Sequence, residues 1–152
     1  MDALECIHTR RSVRTFEARP VPDDLVEELL RAAMAAPSAG NQQPWHYVVV
    51  DEPGIKERLS RVSPYTGMLA QAALGLAVCA EPAADRYKDY WIIDCAAAIQ
   101  NLLLAARALG LGAVWLGVHP VDERKALVRE ILELPANIEA HSLVAIGWPA
   151  VE

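Results

Sequence analysis

The chain has 152 residues, of which 53% are hydrophobic and 22% charged, and its formal net charge is −6. A chain of that length buries roughly 68–70% of its unfolded surface, so one packed domain over residues 1–152 is expected. The acidic balance excludes a diffuse nucleic-acid or anionic-lipid surface; positive charge is local, with Arg10, Arg11 and Arg14 inside five residues, which suggests one anionic site.

Asp2 is placed to cap a short helix that carries Leu4 and Ile7 on one face. The polar TRRSVRTFEARP follows without helical periodicity. Pro22 suits a first helical position, Asp23, Asp24, Glu27 and Glu28 suit the positive end of a helix dipole, and Leu25, Val26, Leu29, Leu30, Ala33 and Met34 recur at helical spacing. A helix is predicted over 22–36, stopping before Pro37. Next comes PSAGNQQPWHYVVV, an irregular amide-rich stretch running into a β-branched strand. Strands are predicted at 47–51, 74–80, 113–118 and 142–148, and helices at 54–62, 92–109 and 121–132. Helices alternating with short apolar strands indicate an α/β or α+β sandwich covered on both faces.

The helix over 92–109 is apolar nearly all round, interrupted by Asp94, Gln100, Asn101 and Arg107. Such a helix needs burial on most sides, which predicts a homodimer core. The same interruptions argue against a membrane span. The acidic MDALE opening is no secretory signal. Cys6, Cys79 and Cys95 are odd in number without CxxC spacing, so neither a disulfide framework nor a thiolate metal site is expected. The cytoplasm is the expected compartment.

Two clusters could carry chemistry. Arg10, Arg11, Ser12 and Arg14 offer guanidinium and hydroxyl donors suited to phosphate, or else a solvated basic surface. Asn41 and Gln43 offer amides suited to a heterocycle or polyol, or else satisfy their own turn. A 15-residue helix between the clusters spans roughly 22 Å, so they meet at one ligand most easily if one comes from a second subunit. In GLGAVWLG, Gly110 reads as a helix stop before a strand whose backbone near Trp115, Leu116 and Gly117 could approach a flat ligand; a packed core strand is the alternative. His8, His46, His119 and His141 have no metal-ligand spacing, and no GxSxG elbow is present.

Taken in order, RRSVRTF, APSAGNQQPWHYVVV, LGLGAVWLG and HSLVAIGWP resemble the nitroreductase family of FMN-dependent oxidoreductases through nearly the whole chain. The resemblance implies an α+β fold, a three-layer α/β/α sandwich with a central mixed sheet, forming a homodimer with FMN at its interface. It further implies that NADH or NADPH reduces the flavin, which passes electrons to a nitroaromatic, quinone or similar small-molecule acceptor, without nucleic acid or membrane. By position, Arg10, Arg11 and Ser12 resemble the ligands of the FMN phosphate and ribityl chain. Arg14 resembles the cation at the pyrimidine edge, placed to stabilise charge on the reduced ring. Pro37, Ser38, Ala39, Asn41 and Gln43 match the loop that reaches the partner's flavin. Trp115, Leu116 and Gly117 match the strand beside the flavin, with an N–H aimed at N5.

Family members commonly continue past the GWP-like strand with a segment that wraps the partner and brings a basic phosphate contact, whereas this sequence stops at Glu152. The region between Ala80 and Asp94 is also short, so a more open site is expected. On the same scaffold an FMN-binding or sequestering protein, or an enzyme that fragments flavin or dehalogenates a substrate, is the alternative function.

Overall fold

The computed structural model describes residues 1–151. Four strands, β1 (Trp45–Val50), β2 (Leu74–Ala80), β3 (Gly112–Gly117) and β4 (Glu139–Gly147), form one sheet in the order β1-β2-β4-β3. Every pairing between these strands is antiparallel. The mixed character anticipated for the sheet comes down to a single parallel bridge, Ser12 with Ala113, where the N-terminal segment runs beside β3.

Helices lie on both faces. On one face α2 (Asp23–Met34) and α4 (Tyr90–Ala108) set Leu29, Ala33, Trp91, Cys95, Ile99 and Leu102 against Leu76, Val78, Val144 and Ile146. On the other, α3 (Pro53–Leu59) and α5 (Asp122–Leu132) set Leu59 and Val128 against Ala77, Cys79, Leu143 and Ala145. The two residue sets alternate along β2 and β4, as the period of two of a pleated strand requires. The short α1 (Ala3–Thr9) is capped by Asp2, whose carboxylate accepts the Glu5 N–H at 2.9 Å, and it leans on α4.

Element types follow the sequence pattern, and boundaries move by a few residues. The helix expected over 54–62 ends at Leu59; in the turn beyond it the Thr66 hydroxyl accepts the Ser63 N–H at 3.1 Å and has the carbonyls of Ser60 and Ser63 within reach of its one hydrogen, at 3.0 and 3.1 Å. Among the described residues, α4 is the one helix long and apolar enough to cross a membrane by length and composition. Here its Cys95, Ala98, Ile99 and Leu102 are wholly buried against the sheet.

Two local features shape the region around β3. Opposite Val78 and Cys79 the pairing jumps from Ser142 to Ala140, leaving His141 as the extra residue of a β-bulge. Ser142 keeps the phase of Val144 and Ile146, and the bulge brings His141 to the same side, toward α4. The second feature is a close approach: a Cβ on Gly112 would stand 2.7 Å from the Val13 side chain, so only glycine lets the 10–14 segment lie this near β3.

Candidate functional site

Strand β3 is at the edge of the sheet, and the N-terminal segment covers only its beginning. Val13 N–H donates to the Ala113 carbonyl at 3.0 Å, so the main chain of Ala113 faces outward. By the alternation of an antiparallel strand, the main chain of Trp115 and Gly117 faces outward too. Among the described residues no other backbone pairs with that side. The result is a short open edge beginning where the chain turns away at Arg14.

A cleft of about 470 Å³ lies along this edge, lined by Arg14, Tyr65, Met68, the 114–117 stretch and Arg124. Arg14 and Arg124 are the charged residues among the described lining, and no carboxylate offsets them. Arg124, the third residue of α5, donates to the Gly117 carbonyl at 3.2 Å and holds its guanidinium 5.5 Å from the Tyr65 ring centre. Two cations therefore flank an open strand edge, one near Val114 and one at Gly117. Sequence reasoning passed over Arg124, since nothing in DERKALV distinguishes it from a solvated helix charge; only the path of α5 brings it here.

Arg11 opens elsewhere, into a second cleft of about 430 Å³ that it shares with Arg19, Arg107, Trp148 and one carboxylate, Glu17, which makes no ion pair among the described residues. Each of these arginines is held by a neutral group. Arg11 donates to the Val151 carbonyl, Arg107 donates to the Thr9 hydroxyl at 3.1 Å, and Arg19 stacks 3.7 Å above the Trp148 ring. The ion pairs among the described residues involve Arg31, Arg61 and Lys125, so the arginines of both clefts keep donors for an anionic ligand. Arg10 is half-buried and Ser12 exposed on the stretch joining the two clefts.

The amide loop is built from a different set of contacts. Gly40, Asn41 and Gln43 adopt φ of 55°, 52° and 48°, left-handed positions interrupted only by Gln42, and such a loop needs external support. Asp94, 3% exposed on α4, accepts the Ala39 N–H at 3.0 Å and the Gln42 amide at 3.2 Å. Asp85 accepts the same Gln42 amide at 2.7 Å, together with the N–H groups of Tyr87 and Trp91. Burial opposes its charge, but these donors prevail and hold its carboxyl below the usual range. The Ser38 hydroxyl accepts the Gln43 N–H at 3.0 Å. Gln42 is thus the internal anchor, leaving Asn41 and Gln43 exposed beside exposed Pro37. Within one chain, Pro37, Ser38, Ala39, Asn41 and Gln43 do not line the Arg14 cleft, whereas Trp115, Leu116 and Gly117 do.

Behind β3 lies a polar cluster. The Trp115 indole N–H donates to Ser142 Oγ at 2.7 Å, Ser142 Oγ meets His141 Nδ1 at 2.9 Å, and His141 Nε2 meets the Ile92 carbonyl at 2.9 Å. Burial pushes the His141 imidazole below its ordinary pKa, with the neighbouring His119 adding to the shift and the Ile92 carbonyl opposing it. Burial likewise pushes the thiols of Cys79 and Cys95 up to about 12, which makes them packing groups rather than nucleophiles.

Comparison with known proteins fits this geometry. A model described as the nitroreductase family matches residues 7–66 and 64–148. An Archaeoglobus fulgidus protein with the provisional name NADH dehydrogenase/NAD(P)H nitroreductase is 45% identical over 152 residues, covering 99% of this chain and 87% of its own. The crystal structure of a Bacteroides thetaiotaomicron protein with the same provisional name has a TM-score of 0.94 at 39% identity, covering 99% of this chain and 88% of the other. A Desulfovibrio desulfuricans protein, provisionally named a nitroreductase and crystallised with FMN, has a TM-score of 0.85 at 32% identity, covering 97% of this chain and 86% of the other. With the matched segments spanning the arginine run, the amide loop and the open edge of β3, the chain belongs to the nitroreductase family.

Proposed function

We propose that this chain is an FMN-dependent oxidoreductase that takes hydride from NADH or NADPH and delivers it to a small acceptor such as a nitroaromatic or a quinone. The observation that carries this reading is the open edge of β3 beside Arg14: an exposed backbone edge and a cation unpaired among the described residues, along a cleft of about 470 Å³. The fit to FMN is good on three counts. A flat ring with donors and acceptors along its rim suits the outward main chain of Trp115 and the N–H of Gly117, whose carbonyl Arg124 already occupies. Arg14 and Arg124 suit a ring that becomes more negative when reduced. The Arg11 cleft lies toward the start of β3, where Arg10, Arg11 and Ser12 would hold the ribityl chain and phosphate.

FMN supplies the two-electron chemistry when bound. The residues of this chain would hold it in the cleft: the β3 edge by its free main chain, and Arg14 and Arg124 by offsetting charge on the reduced ring. The exposed Asn41 and Gln43 follow the C-terminal end of α2, whereas Arg10–Arg14 precede its N-terminal end, so the two amides would serve the site as a loop contributed by the second subunit of a homodimer. Exposed Leu4, Ile7, Met34 and Ile93, on helices that pack together, are the apolar surface for that dimer. A dimeric flavoprotein of this kind would work in the cytoplasm.

The decisive experiment is the visible spectrum of the FMN-reconstituted protein before and after NADH or NADPH without oxygen. A flavin band that bleaches, and returns when a quinone is added, is the expected result. FMN that binds without bleaching would reduce the role to flavin binding, and absence of binding would refute the proposal.

A further inference from the structure

The bulge in β4 delivers two buried polar residues, His141 and Ser142, to the back of the open strand, where a pair of apolar residues would have packed without polar cost. Their bonds can be directed one by one. The Ile92 carbonyl only accepts, so His141 Nε2 carries the hydrogen and Nδ1 is bare. Nδ1 then accepts the Ser142 hydroxyl hydrogen, which leaves Ser142 Oγ to accept the Trp115 indole N–H. A one-way chain of hydrogen bonds therefore runs from β3 through β4 to α4, with the groups in it satisfied. It starts at Trp115, which is 38% exposed and whose main chain is on the unpaired edge.

Resting on the flavin reading above, we infer that Ser142 and His141 are positioning residues for the cofactor cleft, acting through the Trp115 side chain to hold the free strand edge where the flavin rim meets it. On its outer side the 115–117 stretch has no backbone partner beyond Ala113 among the described residues, so it is held from its inner side alone, by the β4 ladder and by this indole tie. Tying the indole to the helix layer fixes it without occupying the side that receives the ligand. Neither residue lines the cleft, so their effect must pass through Trp115.

The test is a double-mutant cycle read by FMN titration, with hydrogen exchange of the Trp115 indole N–H as a second readout. Ser142→Ala is expected to weaken FMN binding about tenfold and to unprotect the indole N–H. In a Trp115→Phe background the same change is expected to alter the FMN Kd by less than about twofold, because the coupled partner is already gone. Should Ser142→Ala not fold, Trp115→Phe carries the test, since loss of the indole N–H alone must weaken FMN. An unchanged Kd in either single variant, or an Ser142→Ala effect that persists undiminished beside Trp115→Phe, overturns the inference while leaving the flavin reading intact. A wild-type chain that takes up no FMN overturns the flavin reading itself, and the inference with it.

Discussion

Arg14 is exposed, carries no ion pair among the described residues and stands at the mouth of the cleft, the disposition of a charge kept for a ligand. Arg14→Ala is expected to retain part of the FMN affinity but to slow anaerobic bleaching by NADH about tenfold or more, measured by stopped flow. Unchanged bleaching would remove the role. His141 makes a separate prediction, in stability rather than rate. The ordinary histidine value is 6.5 and burial lowers it in the fold, so the folded state favours the neutral ring. His119 shifts the same way, chiefly by burial. A lowered folded pKa means that the stabilisation is complete above 6.5 and is lost as pH falls through the folded value. Thermal melts should therefore drop between pH 7 and pH 5, and His141→Gln should flatten part of that drop. At this scale the arginine run stood out by residue type, but the single anionic site expected of it is divided, with Arg14 on one cleft and Arg11 on another. The sequence was silent on Arg124, Ser142 and Asp94, whose roles depend on which distant element each one faces.

At the scale of elements, the close approach of the N-terminal segment to β3 is set by Gly112. Gly112→Ala puts a Cβ 2.7 Å from Val13, and overpacking of this kind costs about 1–3 kcal/mol. Because the displaced segment carries Arg11, Ser12 and Arg14, FMN affinity should fall along with the denaturation midpoint; chemical melts and an FMN titration on one sample would show whether the two move together. The amphipathic pattern of 22–36 and the apolar run of 74–80 were readable because burial on one face, or on both, leaves a period in the sequence. The bulge at His141 was not. One extra residue in a strand has no composition of its own, and HSLVAIG reads as an unbroken strand until its pairing partner is known. The amide loop falls between these cases. Its composition advertises a special turn, but its supports, Asp85 and Asp94, lie 43 and 52 residues beyond Gln42, one before α4 and one within it, with nothing in the sequence to link them to the loop.

For the molecule as a whole, α4 explains why a homodimer is expected. Its inner face is wholly buried, yet Ile93 on its outer side is 60% exposed, and Leu4, Ile7 and Met34 stand uncovered on the helices packed beside it. Ile93→Glu is expected to shift sedimentation from dimer to monomer and to weaken FMN binding, since the loop from the partner would be lost with the interface. A wild-type chain that sediments as a monomer at every concentration would contradict this. The order of the sheet has another consequence, concerning how the chain reaches this fold. The two inner strands are β2 and β4, and β4 is the last strand in the sequence. During synthesis, β2, with all seven of its residues destined for burial, can pair with β1 early but waits for some sixty further residues before its other edge is closed. Until then it is an apolar strand with an open side, the form most prone to join another chain. A nascent chain stalled before β4 should therefore aggregate or recruit chaperones, while one released just after β4 should not.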